Sequence, residues 1–408
     1  MTSQKTADHA YVRKLNTATI LNLLRTTAPV SRAELAKQTG LNRSTVSSIV
    51  NQLLQNDLVR ETELQREGVG RPGMSLTLNP DGGAAIGVEL GVDFISVVVS
   101  DLLAQVRWRV YVDVDASLGQ AVIVNRAEAI IDEVLAETAV SNLPIFGIGV
   151  GVPGLVDVQS GVIKLAPNLQ WQDVPIKSMW QERFQLPVHV ENEANAAALG
   201  EHYFGVAKET NDFIYLSAGV GLGGGIMLQG QLFRGSGGYA GEIGHMTIDV
   251  DGALCSCGRR GCWETVVGPR AVERLIRTQI REGADSLLTD MAQGNVETIT
   301  FDQIVEAAHQ GDAVAESALQ KVAVSLGIGI ANLVNVFNPE MIVLGGRLRL
   351  AGELITPTIA QTVQQNSLQH PLDNVKFANS AHGAEACVMG AIALVMDNVL
   401  REPTIERS

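Results

Sequence analysis

Cysteine is scarce in this 408-residue chain, which has four, and aromatic residues make up only 4% of it. A disulfide framework is not expected, since a chain of this length builds its own core. The amino terminus has no apolar secretory leader, and no apolar run approaches the ~20 residues that cross a bilayer. We therefore expect a soluble cytoplasmic protein that does not span a membrane.

Basic residues are outnumbered by acidic ones, 30 to 44, and the net charge of −14 taken alone disfavours nucleic acid as a partner. The average hides an asymmetry, because residues 1–80 hold ten Lys and Arg against six Asp and Glu. Residues 81–408 hold twenty Lys and Arg against thirty-eight Asp and Glu. This contrast predicts a small basic domain, 1–80, joined to an acidic body, 81–408.

The basic domain has the pattern of a helix-turn-helix. Residues 15–24 support a first helix, Ser31 and Glu34 form a capping box that begins a second, and Gly40 ends it. The third helix has apolar residues at helical spacing: Val46, Ile49, Val50, Leu53 and Leu54. Short polar residues on its other face predict contacts to base edges, the alternative being an ordinary solvated face. The predicted DNA contacts are Arg43, Ser44, Thr45, Ser47, Ser48 and Asn51.

Two short strands, 58–60 and 76–78, flank a glycine-rich loop and predict a wing after the third helix. Arg66 and Arg71 lie in or beside this loop, where they are expected to reach phosphates or a narrow minor groove. The alternative is a flexible linker between domains. Since the composition changes here, we place the domain boundary near Asn79-Pro80.

The body reads as two α/β halves. A strand hairpin from residue 84, a third strand at 106–112 and a helix at 127–138 lead to a strand that ends in the Gly/Pro turn of 151–154. A strand at 212–217 then enters a glycine-rich hairpin, helical periodicity dominates 269–338, and a final strand is predicted at 341–344. Two halves around a ligand-binding cleft follow from this order.

Three of the four cysteines lie close together at 255–262, with a histidine ten residues before them. Thiolates and imidazole are ligands that Zn²⁺ prefers, and a closed Cys₃His set is typical of structural zinc. The predicted ligands are His245, Cys255, Cys257 and Cys262. The alternative is a group of reduced, buried thiols, which is how Cys387 is interpreted because it stands alone in an apolar run.

These features occur together with a Glu191-Asn192-Glu193-Ala194-Asn195 segment and the spacing of Glu242 and His245. In this order they resemble the repressor, open reading frame and kinase (ROK) family over essentially the whole chain. The leading helix-turn-helix is similar to its repressor branch, which includes xylose and N-acetylglucosamine repressors. The resemblance implies an actin-like (ribonuclease H-like), two-lobed sugar-kinase-type body, with sugar between the lobes and ATP on the glycine loops.

The chain departs from the kinases of this family at three places. The kinases open with Asp-x-Gly-Gly-Thr, whereas residues 89–93 read Glu-Leu-Gly-Val-Asp. Val220 stands where the second glycine loop of the kinases usually has Thr, and Glu193 stands where they have the catalytic Asp. The loss of phosphate donors and the displacement of the catalytic base predict that the protein binds sugar without phosphoryl transfer. We therefore expect that it is not an enzyme.

The resemblance also implies which residues hold the sugar. Sugar hydroxyls need paired donors and acceptors, because an unmatched buried one costs ~1–3 kcal/mol. The implied contacts are Glu242, His245 and Glu264, facing Asn192 and Glu193, with Gly154 and Asn168 closing the pocket. His245 would give one ring nitrogen to zinc and the other to sugar. The alternatives are a simple turn role for Asn168 and a surface position for Glu193.

The expected function is that of a repressor, a homodimer or homotetramer bound to a palindromic operator, whose DNA affinity changes when a monosaccharide binds. Xylose, glucose or a related aldose is the expected effector, and Glu193 favours xylose because xylose repressors resemble this chain there. One alternative is an active ATP-dependent sugar kinase with an added DNA-binding domain. Another is a regulator whose signal is a phosphotransferase subunit.

Overall fold

The computed structural model describes residues 9–63, 74–219, 221–372 and 375–401. Two predictions concern residues outside these ranges: the DNA contacts of Arg66 and Arg71, and the loss of a phosphate donor at Val220. The amino-terminal elements are α1 (His9–Thr27), α2 (Arg32–Thr39), α3 (Arg43–Gln55), β1 (Val59–Glu63) and β2 (Met74–Leu78). The antiparallel pair β1 and β2 follows the three helices, which is the winged arrangement that the sequence predicts.

Local capping explains where these helices begin and end. The Ser31 and Glu34 side chains complete a capping box at α2, and Gly40 ends that helix at a left-handed φ of 70°. Asn42 caps α3 by accepting a hydrogen bond from the Thr45 N–H. The apolar side of α3 is buried together with Ile20, Leu21 and Leu24 of α1. The first helix begins at His9, earlier than the apolar pattern indicated.

The first lobe of the body is built on a five-stranded sheet with the order β10-β6-β3-β4-β5. Its strands are β3 (Ala84–Leu90), β4 (Phe94–Asp101), β5 (Val106–Asp113), β6 (Ile145–Val152) and β10 (Val188–Asn192). A three-stranded sheet that the sequence did not predict consists of β7 (Leu155–Asp157), β8 (Val162–Ala166) and β9 (Trp171–Val174). The helices are α4 (Gln120–Ala136), α5 (Thr138–Ser141), α6 (Ile176–Phe184) and α7 (Glu193–Tyr203).

The second lobe repeats this plan with the strand order β13-β12-β11-β14-β15. Its strands are β11 (Phe213–Ala218), β12 (Leu222–Leu228), β13 (Gln231–Leu232), β14 (Met341–Gly346) and β15 (Lys376–Asn379). The helices are α8 (Pro269–Arg281), α9 (Leu287–Met291), α10 (Phe301–His309), α11 (Ala313–Phe337), α12 (Gly352–Asn366), α13 (Gln369–Leu372) and α14 (Ala386–Arg401). The predicted last strand is β14, but β15 follows it, so that prediction was wrong; β15 has only four residues and no apolar run.

The carboxy-terminal helix α14 returns to the first lobe and packs against β3, β6 and α7. Glycines permit this close approach: a Cβ on Gly149 would lie 1.8 Å from the Ala391 carbonyl oxygen, and one on Gly390 would lie 1.7 Å from that of Ala196. Helix α7, which begins at the predicted sugar site, is therefore locked against α14 along its length.

Within the described ranges, two helices are long and apolar enough to cross a membrane by length and composition alone, α11 and the segment Gly383–Arg401. Their apolar windows are 61% and 72% buried inside the protein. Both helices are therefore part of the core. Their burial in the protein accounts for apolar stretches that are longer than the sequence analysis expected.

Candidate functional site

The site is organised by Asn192, the last residue of β10 and the cap of α7. Its Oδ1 accepts hydrogen bonds from the N–H groups of Ala194 and Asn195, at 2.9 and 3.3 Å. Its Nδ2 donates to the Gly154 carbonyl oxygen at 2.9 Å. Two of the predicted sugar-binding residues, Asn192 and Gly154, therefore meet at the carboxyl end of the first sheet, the usual position of ligands in α/β folds.

Gly154 has a φ of 108°, and a Cβ there would lie 2.2 Å from the Leu165 carbonyl oxygen. This close approach requires glycine and holds the turn after β6 against β8. Asn168 lies exposed in the turn after β8. A contact between its side chain and sugar stays a prediction.

A buried ion pair that the sequence did not predict supports this corner. Glu191 is 1% exposed and accepts hydrogen bonds from Arg234 Nε and Nη2 at 3.0 and 2.8 Å. Its other oxygen accepts one from Asn195 Nδ2 at 3.2 Å. Because Arg234 follows β13 of the second lobe and Glu191 lies in β10 of the first, this pair joins the two lobes beside the predicted pocket.

Three predicted carboxylates lie around a common space. Burial, with the neighbouring Glu242 next, raises the pKa of Glu193 to about 7. Burial also raises the pKa of Glu242. Of its charged neighbours, His245 lowers this pKa and Glu264 raises it. The glycine loop approaches Glu264 closely, since a Cβ on Gly221 would lie 2.7 Å from Glu264 Oε2. Such clustered acids supply the acceptors that sugar hydroxyls require, and their mutual repulsion is relieved when hydroxyls donate to them.

The predicted zinc ligands converge. His245 Nδ1 lies 3.7 Å from Cys255 Sγ, Cys257 Sγ lies 3.6 Å from Cys262 Sγ, and the four ligand atoms all lie within 4.8 Å of one another. Zn–S bonds of ~2.3 Å at tetrahedral angles put sulfurs about 3.8 Å apart. The donor set therefore fits a tetrahedral Zn²⁺ in both chemistry and spacing.

The two ring nitrogens of His245 face different partners. Nδ1 lies toward Cys255 and is 3.5 Å from Glu264 Oε1, while Nε2 is 3.9 Å from Glu242 Oε2. Glu264 Oε1 also accepts a hydrogen bond from the Cys255 thiol at 2.8 Å. The thiol cluster and the acidic pocket therefore share His245 and Glu264 as a common wall.

Tight turns and one tryptophan hold this loop. Gly261 has a φ of 69°, and a Cβ there would lie 1.5 Å from the Asp249 carbonyl oxygen. Trp263 is fully buried and donates from Nε1 to the Ser325 carbonyl oxygen of α11 at 2.9 Å. The backbone N–H of Arg259 lowers the pKa of Cys257 to about 7, which favours the thiolate that a metal binds. Burial raises the pKa of Cys255 to about 12 and also raises that of Cys262, so these two thiols keep their protons until a cation displaces them.

The first glycine turn carries a buried acid instead of phosphate donors. Glu89 of β3 is 7% exposed, and burial, with Glu193 next, raises its pKa to about 8. Cys387 of α14 is buried beside it and hydrogen-bonds its carboxyl, which confirms that this thiol belongs to the core. Val92 is half-buried and Asp93 exposed in the turn that follows.

Glu89 predicts a dependence of stability on pH. Its folded pKa of about 8 exceeds its ordinary value of 4.5, so the folded chain keeps a proton that the unfolded chain releases. The free energy of unfolding should therefore fall as the pH rises from 4.5 to about 8, by up to roughly 5 kcal/mol from this group. Glu89→Gln should flatten that fall in urea unfolding at pH 5 and 8.5. Glu133→Gln, an exposed change on α4, is the control. An equal fall in the free energy of unfolding between pH 5 and 8.5 for both variants would refute the prediction.

The second lobe has little space at the carboxyl ends of β11 and β14. The cavity there has a volume of about 10 Å³. It is lined largely by apolar side chains, among them Leu216, Leu222, Leu326, Leu344 and Leu348. A cavity of this size holds about one water molecule.

The predicted recognition helix presents a polar face. Arg43, Ser44, Ser48 and Asn51 are exposed, and Thr45 and Ser47 are half-buried. Arg32, which the sequence interpretation missed, donates to Asn51 Oδ1 at 2.9 Å and to Glu61 Oε1 of β1 at 2.9 Å. Arg13 of α1 donates to Ser48 Oγ at 3.3 Å. Arg13 and Arg32 therefore orient the short polar side chains of this face, while the charge of Arg32 is paired with Glu61.

Comparison with known proteins agrees with this architecture. The profile of the ROK family matches residues 85–398, and that of the IclR helix-turn-helix domain matches residues 15–63. The xylose repressor of Caldicellulosiruptor bescii is 36% identical over 396 residues, which are 97% of this chain and 99% of the relative.

Two solved structures are similar to it. A ROK family transcriptional regulator, described as a homolog of the E. coli MLC protein, superposes with a TM-score of 0.84 at 28% identity, covering 97% of this chain and 98% of that one. A ROK family glucokinase from Streptomyces griseus, solved with glucose and AMPPNP, has a TM-score of 0.68 at 32% identity. The match covers 76% of this chain and 99% of that one. The predicted helix-turn-helix followed by an actin-like, kinase-type body is confirmed.

Proposed function

Because this chain belongs to the ROK family and carries an IclR-type helix-turn-helix ahead of the ROK body, we propose that it is a repressor controlled by a monosaccharide. The observation that carries the proposal is the combination of a polar recognition face on α3 with a separate acidic pocket around Asn192 and Glu193. The first reads DNA, and the second has the acceptors that a sugar requires. The named repressors among its relatives support the same function.

The effector is a monosaccharide bound between the lobes by Asn192, Glu193, Glu242, His245 and Glu264, with Gly154 and Asn168 at its edge. Xylose is favoured because the relative with 36% identity is a xylose repressor. Glucose is the second candidate, since it is bound in the similar glucokinase. A thermal-shift screen of aldoses tests this, because a saturating ligand at 100 Kd stabilises the fold by ~2.7 kcal/mol.

Zinc is the proposed structural ion, held by His245, Cys255, Cys257 and Cys262. It would fix the loop that carries Glu264 and hold the His245 ring so that Nε2 remains available to the sugar. The distances between the ligand atoms support this assignment.

Phosphoryl transfer is not part of the proposed function. Glu89 stands where the kinases of this family have the acid of the phosphate loop, and its carboxyl is buried, with a pKa raised to about 8. The competing function is a sugar kinase, and the similarity to the glucokinase favours it. ADP release from ATP with xylose or glucose distinguishes the two: our proposal expects no sugar-dependent release, and turnover at ordinary enzymatic rates of ~1–10³ s⁻¹ would replace it with the kinase.

The proposed assembly is a homodimer or homotetramer in the cytoplasm. Residues 1–80 of two chains would occupy the half-sites of a palindromic operator, which are separated by ~34 Å or a multiple of it. The acidic body, residues 81–408, is kept away from DNA by its own charge. Sugar binding would change lobe closure and so change the spacing of the two DNA-binding domains.

A further inference from the structure

The DNA-binding domain and the first lobe share one core. Leu24 of α1 and Leu400 of α14 are 1% and 3% exposed and belong to the same continuous apolar cluster. A domain joined through buried apolar contacts moves with the surface on which it packs, unlike one on a free linker. The orientation of α1 therefore depends on the elements beneath it, α7 and α14.

Helix α7 runs from the predicted sugar pocket to this junction. It begins at Glu193, directly after Asn192, and ends at Tyr203. Its eleven residues span about 16 Å at 1.5 Å per residue. A shift of the corner at Asn192 is therefore carried to Tyr203 by one rigid element.

Tyr203 meets α1 through Arg25. Arg25 Nη1 donates to the Tyr203 carbonyl oxygen at 3.2 Å, and the guanidinium carbon lies 4.3 Å from the centre of the Tyr203 ring. This stacked cation contact is worth ~0.5–2 kcal/mol, depending on how far it is removed from water. It is the point at which a side chain of α1 touches the end of the helix that begins at the pocket.

The Tyr203 hydroxyl is held in turn by α14. It donates to Asp397 Oδ1, which also accepts a hydrogen bond from Arg401 Nε at 2.6 Å. Burial, with the Asp397 carboxylate next, raises the pKa of Tyr203 above its ordinary range, so the phenol remains a donor. Arg25, Tyr203, Asp397 and Arg401 thus form a chain of polar contacts across α1, α7 and α14, which we call the junction network.

We infer that the junction network transmits sugar occupancy from α7 to α1 and thereby sets the position of the DNA-binding domain. This inference rests on the proposed function and deepens it by naming the residues that couple the two sites. Tyr203 and Arg25 act as positioning residues, because neither is among the predicted contacts to sugar or DNA.

Two observations indicate that the network can rearrange. A cavity of about 170 Å³ adjoins Tyr203, Asp397 and Arg401 and leaves space for these side chains to move. Arg25 Nε is buried with no hydrogen-bond partner among the described residues. A network with an unmatched buried donor loses less when it changes its contacts than a fully satisfied one does.

The test compares Tyr203→Phe with the unaltered full-length protein. The variant keeps the ring under Arg25 and leaves Asp397 paired with Arg401, so we expect it to fold. It removes the hydrogen bond from the Tyr203 hydroxyl to Asp397, by which α14 holds the end of α7, and so interrupts the junction network. Sugar affinity by calorimetry and operator affinity by fluorescence anisotropy, each measured with and without xylose or glucose, are the readouts. We expect the sugar affinity to stay within about twofold, while the change in operator affinity caused by sugar, typically ~5–150-fold for coupled sites, falls below about twofold.

Controls separate coupling from folding. Tyr111→Phe removes a hydroxyl from an exposed tyrosine on β5 and should keep the full response to sugar. Arg25→Lys, the second junction variant, retains the charge but not the planar stacking group, and it alters the contact between α1 and α7 directly. A loss of response in both junction variants, with normal thermal unfolding and normal sugar affinity, supports the inference.

The outcomes distinguish this inference from the proposed function. If sugar changes operator binding by the unaltered protein and by both junction variants to the same extent, the junction network is not the coupling route and only this inference is overturned. If no sugar changes operator binding by the unaltered protein, the proposed function fails, and the coupling inference fails with it.

Discussion

Cys257→Ser is expected to remove zinc from the protein and to weaken sugar binding at least tenfold. The side chain is exposed, so serine itself does not disturb packing. It removes one of the four ligands that converge with His245, Cys255 and Cys262, and serine is a poor zinc ligand. Without the ion, His245 and Glu264 lose the support that orients them toward the pocket, and supporting contacts of this kind are worth ~10–100-fold.

Zinc content by atomic emission and sugar affinity by calorimetry measure the two effects. We expect about one zinc per unaltered chain and almost none in the variant. Cys387→Ala removes a thiol that lies outside the cluster, so this control should keep its zinc. An unaltered protein purified without zinc would show that the cluster is only a group of reduced thiols. A Cys257→Ser variant with full metal content would show that Cys257 does not hold the ion.

Glu242→Ala is expected to lower sugar affinity by about 5- to 150-fold while leaving operator binding without sugar unchanged. The Glu242 side chain is 44% exposed, and its Oε2 lies 3.9 Å from His245 Nε2, so removing the carboxylate should cost little stability. A hydroxyl that loses its acceptor on binding costs ~1–3 kcal/mol, which gives this range.

The matched control is Glu282→Ala, which removes an exposed carboxylate at the end of α8. Calorimetric titration with xylose and glucose provides the comparison. Should Glu242→Ala bind both sugars as tightly as the control does, the pocket would not be where we place it. A loss of thermal stability in Glu242→Ala alone would instead assign the residue a structural role.

Features that depend on neighbours in sequence were predictable. The capping box of Ser31 and Glu34, the helix end at Gly40 and the cap of α3 each involve residues within a few positions. The convergence of Cys255, Cys257 and Cys262 is likewise local, since tight glycine turns bring them together. Short-range geometry of this kind is determined by backbone preferences that a sequence displays directly.

Contacts between distant residues were missed. Arg234 and Glu191 are 43 positions apart, and Tyr203 and Asp397 are 194 apart. No periodicity links such partners, because they meet only after the lobes and α14 have packed. Strands β7, β8 and β9 were missed for a related reason: with three to five residues each, they are stabilised by pairing with one another rather than by a long apolar run.

The central claim is that sugar occupancy of the pocket controls the binding of operator DNA. The most direct measurement is an anisotropy titration of operator DNA, selected from random sequence by the unaltered protein, with and without a saturating aldose that stabilises the fold. We predict that the sugar changes the dissociation constant for operator at least ~5-fold. An unchanged constant, within about twofold, for every aldose that binds would contradict the account.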